Sequence, residues 1–106
     1  MSAVYQVEST TDSRAEAEAL ATALVERRLA ACAQVVGPIA SIFWWEGKVQ
    51  SQEEFLLLCK VPEARLGSVT AAIEELHSYD LPEVLAFKVA DGSRSYLDWV
   101  AKEATG

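Results

Sequence analysis

The stretch AQVVGPIASIFWWEGKVQSQEEFLLLCKV, from Ala33 to Val61, predicts a long β-hairpin that decides the fold. β-Branched and aromatic residues fill both halves, as is typical of strands. Glu46-Gly47 separates the halves as a tight turn, because glycine adopts the positive φ that such turns require. Gly37-Pro38 interrupts the first half, and we expect a bulge or bend there because proline cannot donate a ladder hydrogen bond.

The predicted hairpin is too long for a chain that folds alone. Each arm of about 12 to 14 residues spans more than about 40 Å, whereas a helix of about 14 residues covers only about 21 Å. The hairpin tip should therefore project beyond the helices that cover the sheet. An isolated apolar hairpin is marginally stable in water and has open edges. The sequence therefore predicts that another copy of the chain covers the tip.

Two adjacent tryptophans, Trp44 and Trp45, stand next to the turn. Neighbouring residues of a strand point to opposite faces of the sheet. We therefore expect one of the two indoles in the core and the other against a neighbouring subunit.

The segment before the hairpin reads as a strand followed by a helix. Residues 3–8 alternate loosely between apolar and polar side chains, which predicts the strand. Ser13 and Glu16 have the spacing of a capping box, with Asp12 as an alternative cap. An apolar stripe at helical spacing follows, formed by Ala17, Leu20, Ala21 and Leu24.

The segment after the hairpin completes a repeated order of elements. Pro62 ends the second arm and begins a helix, and the polar loop HSYDLPE (77–83) leads to the strand VLAFKVA (84–90). SYLDWVAKEA (95–104) closes the chain as a helix. The order β-α-β-β-α-β with a terminal helix predicts an α+β, ferredoxin-like fold with both long helices on one face. We expect residues 1–106 to form a single domain.

Composition narrows the possible partners. The chain has 106 residues, is 51% hydrophobic and carries a formal net charge of -7, so its average field repels a phosphate backbone and disfavours nucleic acid. No stretch reaches the ~18 apolar residues of a membrane helix, and the start does not read as a signal peptide. We therefore expect a cytoplasmic protein that does not bind a membrane. Two cysteines are too few for a disulfide scaffold.

The residues that bear metal-binding chemistry are few and scattered. Cys32, Cys59 and His77 are not spaced as a closed zinc site. A site formed by Cys32, His77 and a carboxylate such as Glu83, especially across subunits, would favour copper or zinc. The alternative is that both cysteines are core residues and that His77 only ends a helix. No catalytic motif is present, so we do not expect an enzyme.

Lys60 follows the apolar run LLLC, on a strand whose alternation points it inward. A buried lysine needs a partner, and we expect Glu54 or Glu83 to provide it.

Four segments in order along the chain carry a family pattern. They are ERRLAACAQVVGPIASIFWWEGKVQ (26–50), EEFLLLCKV (53–61), HSYDLPE (77–83) and YLDWV (96–100). Together they resemble the CutA proteins, named for divalent-cation tolerance, and they cover nearly the whole chain. The resemblance implies a ferredoxin-like fold in a tight, PII-like homotrimer, with sheets meeting edge to edge and hairpin arms embracing neighbours.

The resemblance also implies binding of copper or another divalent cation in clefts between subunits. The metal ligands implied for this sequence are Cys32, His77 and Glu83. The other cleft residues implied are Trp45, Glu54, Lys60, Tyr79 and Trp99.

Two positions depart from the family pattern. Ser78 stands where the family usually has a proline after the histidine, so we expect the His77 ring to be held less rigidly. Ser9 stands where some members carry a cysteine, which lowers the expected affinity for copper.

Three functions remain open on the sequence. The first is a homotrimer that binds copper or other divalent ions in cation homeostasis. The second is a PII-like module that binds a small ligand in the same clefts, although the chain lacks the long flexible loop of such sensors. The third is a structural or interaction scaffold without a ligand.

Overall fold

The computed structural model describes residues 3–105 and confirms the predicted order of elements. The strands are β1 (Val4–Thr11), β2 (Cys32–Trp45), β3 (Lys48–Pro62) and β4 (Leu85–Lys88), and the helices are α1 (Arg14–Glu26), α2 (Leu66–Leu76) and α3 (Arg94–Glu103). A single 3₁₀ turn, Glu63–Arg65, connects β3 to α2. The strands form one antiparallel sheet in the order β2-β3-β1-β4, which is the ferredoxin-like arrangement.

Local sequence signals position α1 as expected. Ser13 caps the helix, because its Oγ accepts a hydrogen bond of 3.1 Å from the Glu16 N–H. Ala17, Leu20 and Leu24 are buried against the sheet.

Among residues 3–105 we find no helix with the length and apolar character needed to cross a membrane.

The core lies between the sheet and the two long helices. On β3, Leu57, Cys59 and Val61 are fully buried, while the residues between them are half-buried, as period-2 alternation requires. Burial raises the pKa of the Cys59 thiol to about 12, so this cysteine is an inert core residue, as predicted.

The predicted irregularity in the hairpin is a bulge between Val36 and Ile39. The backbone of Gly37 packs closely on Phe55, and a Cβ atom there would lie 2.6 Å from the Phe55 Cδ2 atom. Arg14 of α1 secures the bulge, since it donates a hydrogen bond of 2.9 Å to the Gly37 carbonyl and its guanidinium lies 5.1 Å from the centre of the Phe55 ring. The bulge is therefore tied to the helix layer.

The hairpin projects past the rest of the sheet, as its length predicted. β1 ends at Thr11, opposite Phe55, so residues 48–54 of β3 extend past the end of β1. The fold is 45 Å long but only 25 Å and 21 Å in its other dimensions. At the tip, 72% of Ile42 is exposed.

The prediction that one tryptophan enters the core is wrong for the single chain. Trp44 is 74% exposed and Trp45 is 42% exposed. The alternation of the strand does place them on opposite faces, but neither face is covered by a helix so far along the hairpin.

Candidate functional site: an acidic and aromatic cleft

A cleft of about 680 Å³ lies between the outer half of the hairpin and the loop that follows α2. The pairs Ser41–Gln52 and Ile39–Glu54 share one face of the hairpin, because directly opposed residues of antiparallel strands project to the same side. The residues of this cleft used below are Phe43, Trp45, Gln52 and Glu54 from the hairpin and Tyr79, Asp80 and Glu83 from the loop. Four of the predicted site residues therefore come together: Trp45, Glu54, Tyr79 and Glu83.

His77 anchors the loop at one side of the cleft. Its buried ring places Nε2 2.7 Å from the Thr10 carbonyl oxygen, and Nδ1 accepts a hydrogen bond of 3.0 Å from the Tyr79 N–H. Because Nδ1 accepts this hydrogen bond, Nε2 is the nitrogen that can donate to the Thr10 carbonyl. Both ring nitrogens are engaged within one chain, so His77 does more than end a helix.

Glu16 holds the same loop from α1. Its carboxylate accepts hydrogen bonds from the N–H and the hydroxyl of Ser78, both at 2.9 Å. The expectation that Ser78 leaves the His77 ring loosely held is therefore wrong. A proline has neither an N–H nor a hydroxyl, so the serine adds two anchors that the family's proline cannot supply.

The Glu16 carboxyl titrates below its usual range. Partial burial by itself raises its pKa, but the hydrogen bonds from Ser78, together with the electrostatic effect of His77 and contact with Asp12, lower the pKa below the ordinary value of 4.5. Because the pKa is lower in the folded than in the unfolded chain, the stabilisation is present above pH 4.5 and is lost as the pH falls through the folded pKa.

We expect Glu16→Gln to lower the free energy of unfolding at pH 7 by about 1 kcal/mol, since the side chain, which is only 19% exposed, loses the charge that accepts both hydrogen bonds from Ser78. The difference from the parent should shrink as the pH falls below 4.5. Urea denaturation at a series of pH values measures this difference in the free energy of unfolding. Glu18→Gln, an exposed change on the same helix, is the control. A Glu16→Gln deficit that persists at low pH would contradict the assignment.

Glu54 and Tyr79 form the floor of the cleft. The Tyr79 hydroxyl donates a hydrogen bond of 2.8 Å to Glu54 and accepts one of 2.9 Å from the side-chain amide of Gln52. Glu54 is only 7% exposed. Burial, and then the hydrogen bond to Glu54, raise the pKa of Tyr79, so the phenol stays protonated and remains a donor at neutral pH.

The cleft concentrates negative charge. Burial raises the pKa of Glu83, and the charges of Glu8 and Glu54 raise it further. Asp80 adds a third carboxyl to the lining, and among residues 3–105 no lysine, arginine or histidine lines the cleft. The site is therefore built to receive a positive charge.

Lys60 does not pair with Glu54 or Glu83, so that prediction is wrong for the single chain. Its ammonium donates to the amide oxygens of Gln6 at 2.9 Å and Gln34 at 3.2 Å. Lys60 projects away from the face of β3 that buries Cys59. Glu54 is six residues from Lys60 along the strand, which is a distance of about 20 Å. Two amide oxygens therefore take the place of the expected carboxylate.

Cys32 and Trp99 lie at the other end of the sheet. Cys32 is half-buried opposite Lys60, and burial together with the nearby Cys32 raises the pKa of Tyr96. Trp99 lines a separate pocket of about 320 Å³. Neither residue contributes to the cleft of a single chain.

The three predicted metal ligands do not converge in one chain. Cys32 is level with Gln6 of β1, whereas His77 contacts Thr10, four residues or about 13 Å farther along that strand. Within residues 3–105, no three His, Cys, Asp or Glu side chains are grouped so as to hold a metal ion. A metal site that used both Cys32 and His77 would need more than one copy of the chain.

Sequence reasoning missed Glu16 and Glu8 as parts of this site. The spacing of Ser13 and Glu16 predicts only a capping box, whereas the contact of Glu16 with Ser78 joins residues 62 positions apart. No local pattern encodes such a contact. Glu8 is identified by its place opposite Leu58 at the sheet centre, which requires the strand register.

Comparisons with known proteins agree on one family. The family model described as CutA1 divalent ion tolerance protein matches residues 5–103. The Thermus thermophilus divalent-cation tolerance protein CutA is 41% identical over 97 residues, covering 92% of this chain and 93% of that protein. The rice chloroplastic protein CutA 1 is 42% identical over 81 residues, or 76% of this chain, which spans only 46% of the rice protein's length.

Solved structures agree with the sequence comparisons. The crystal structure of CutA from Xylella fastidiosa superposes with a TM-score of 0.94 at 33% sequence identity. The match covers 96% of this chain and 98% of that one.

Proposed function

The chain belongs to the CutA1 divalent ion tolerance family, and on that basis we propose that it binds divalent cations, copper among them, as a homotrimer. The observation that carries the proposal is the un-neutralised acidic cleft. Glu83 lies close enough to Glu8 and Glu54 for their charges to raise its pKa. A divalent cation relieves that repulsion, and carboxylate oxygens are suitable ligands for it.

The remaining ligands are proposed to come from a neighbouring copy. Cys32 is half-buried and forms no disulfide, and a thiolate favours copper. His77 is a less favourable metal ligand than Cys32, because a metal would first have to displace Thr10 or Tyr79 from the ring. The proposed site therefore pairs Glu83 of one subunit with Cys32 of another.

The exposed hairpin supports the oligomer. Ile42 and Trp44 are both more than 70% exposed, and in the described part of the chain β2 and β4 each have a neighbour on one side only. Open edges and exposed apolar residues of this kind are usually covered in an assembly. We further propose a non-catalytic, cytoplasmic role, which the two free cysteines support.

The PII-like alternative has one observation in its favour. The cleft volume, about 680 Å³, lies within the range typical of small-molecule sites, roughly 300 to 1,000 Å³. A scaffold without any ligand does not explain the concentration of carboxyl groups there.

Native mass spectrometry with and without copper tests the proposal. We expect an assembly of about three 11.5 kDa chains that takes up copper saturably. Affinity should fall from pH 8 to pH 5, because protons compete with the metal for thiolate and carboxylate, and the raised pKa of Glu83 shifts its loss to higher pH.

Matched variants locate the metal. We expect Glu54→Gln combined with Glu83→Gln to weaken copper binding by at least about tenfold, since each removes a charge from the cleft. Glu53→Gln is the control, because Glu53 is exposed and projects to the opposite face of β3. Equal affinity in all three proteins would show that copper binds elsewhere on the acidic surface.

A further inference from the structure

We propose that Glu16 of α1 is a positioning residue for the cleft: through Ser78 it holds the loop 77–83 and so places Tyr79 and Glu83 for a bound cation. The inference rests on the proposed cation binding and names the group that controls the geometry of that site. Glu16 is not among the residues that line the cleft. It therefore acts on the cation through the loop, without touching it.

The start of the loop is held at three consecutive residues. The Glu16 carboxylate accepts hydrogen bonds from the N–H and the hydroxyl of Ser78, both at 2.9 Å, which fixes the backbone and the side chain of that residue together. On either side, the His77 ring lies 2.7 Å from the Thr10 carbonyl oxygen and accepts a hydrogen bond of 3.0 Å from the Tyr79 N–H. We call Glu16, Ser78 and His77 the loop anchor.

Tyr79 connects the loop anchor to the acids of the cleft. Its hydroxyl donates a hydrogen bond of 2.8 Å to Glu54, and its ring centre lies 4.6 Å from that of His77. Four residues later the loop reaches Glu83, whose pKa is raised by burial and by the charges of Glu8 and Glu54. Like charges repel, so these acids stay close only because the loop holds them there. Loosening the loop anchor should therefore let the acids separate.

The contacts of the loop anchor lie within one chain and are already enclosed by it. The His77 side chain is fully buried, the Glu16 side chain is 19% exposed and Glu54 is 7% exposed. A neighbouring subunit can add contacts at the rim of the cleft, but little surface of these three side chains is left for it to reach. We therefore expect the loop anchor in the homotrimer as in the single chain.

The distance between Glu16 and the cation sets the size of the expected effect. Groups that hydrogen-bond directly to a metal ligand typically change metal affinity by about 10- to 100-fold when they are removed. Glu16 acts from farther away, through Ser78 and the loop backbone. We therefore expect a smaller effect on affinity, of at least about threefold.

Titration of the metal-free, full-length protein with Cu²⁺ by calorimetry tests the inference. Glu16→Gln removes a charge as well as the acceptor, whereas Ser78→Ala removes only the hydroxyl and leaves every charge in place. Both should weaken copper binding by at least about threefold. Ser78→Thr restores a hydroxyl and should recover the affinity. Glu18→Gln removes the same charge from an exposed position of α1 and should leave the affinity unchanged.

Hydrogen exchange measures the loop anchor without any metal. The amides of residues 78–83 should exchange at least about fivefold faster in Glu16→Gln and in Ser78→Ala, because each variant loses a hydrogen bond to a charged group. The double variant should change exchange by less than the product of the two single effects, since both act on one contact. Val69→Ala is the control for stability. It weakens the core from within α2 and should leave both loop exchange and copper affinity unchanged.

Three outcomes would overturn the inference. The first is unchanged loop exchange in both Glu16→Gln and Ser78→Ala. The second is a loss of copper affinity in Glu16→Gln alone, which would show that only the charge acts. The third is an equal loss in Val69→Ala, which would show a general effect of stability. A parent protein that takes up no copper overturns the proposed function, and loop exchange by itself then decides whether Glu16 positions the loop.

Discussion

Replacing Gly37 with alanine is expected to destabilise the chain by at least about 2 kcal/mol, since overpacking a tight site costs about 1 to 3 kcal/mol or more. The new Cβ would lie 2.6 Å from the Phe55 ring and 3.1 Å from the Glu54 carbonyl oxygen. The ring can turn only by leaving the Arg14 guanidinium, and the carbonyl belongs to the backbone of β3. The substitution should therefore disturb both the bulge and the cleft residue Glu54.

Urea denaturation at one fixed protein concentration measures the effect, because assembly and folding are coupled in an oligomer. Gly67→Ala is the matched control. A Cβ there meets no atom within 4 Å, and Gly67 lies in α2, where alanine is the better helix former by about 1 kcal/mol. The two substitutions should shift the unfolding midpoint in opposite directions. Equal midpoints would contradict the close packing at Gly37.

Ile42→Asp is expected to dissociate the proposed homotrimer into single chains. Ile42 is 72% exposed, so in a single chain the change should alter stability by no more than about 0.5 kcal/mol. In a trimer it would place an unpaired carboxylate in each apolar contact, at a cost of several kcal/mol per charge. The effect on assembly should therefore far exceed the effect on the fold.

Light scattering measures the mass, which should fall from about three times 11.5 kDa to 11.5 kDa. Ala71→Asp adds the same charge to an exposed position of α2 and should leave the mass unchanged. If the parent chain is already a monomer at micromolar concentration, the trimer is wrong. If Ile42→Asp remains assembled, the hairpin tip is not part of the interface.

The features that the sequence predicted well are those with local causes. The Ser13 cap, the turn at Gly47, with φ of +77°, and the bulge after Val36 each depend on residues that are neighbours in the chain. The core character of Cys59 follows from alternation within one strand. These interactions form wherever the segment lies in the fold.

The features that could not be predicted from the sequence depend on where helices and strands end and on which strands are neighbours in the sheet. Trp44 and Trp45 alternate as expected, but the helices end before reaching them, so neither enters the core. Lys60 has amide partners because the register places Gln6 directly opposite it. The anchoring of Ser78 by Glu16 joins distant segments, and no periodicity along the chain reports such a contact.

The position of β1 has a consequence for the order of events during synthesis. β1 is translated before the other three strands, yet in the sheet it lies between β3 and β4. Its last partner, Lys88, is added 88 − 11 = 77 residues after Thr11. At a translation rate of about 5 to 20 residues per second, β4 therefore becomes available to β1 roughly 4 to 15 s after β1 has been synthesised. The hairpin of β2 and β3, whose strands are joined by a tight turn, can pair earlier, so the nascent chain displays the apolar tip before the sheet is complete.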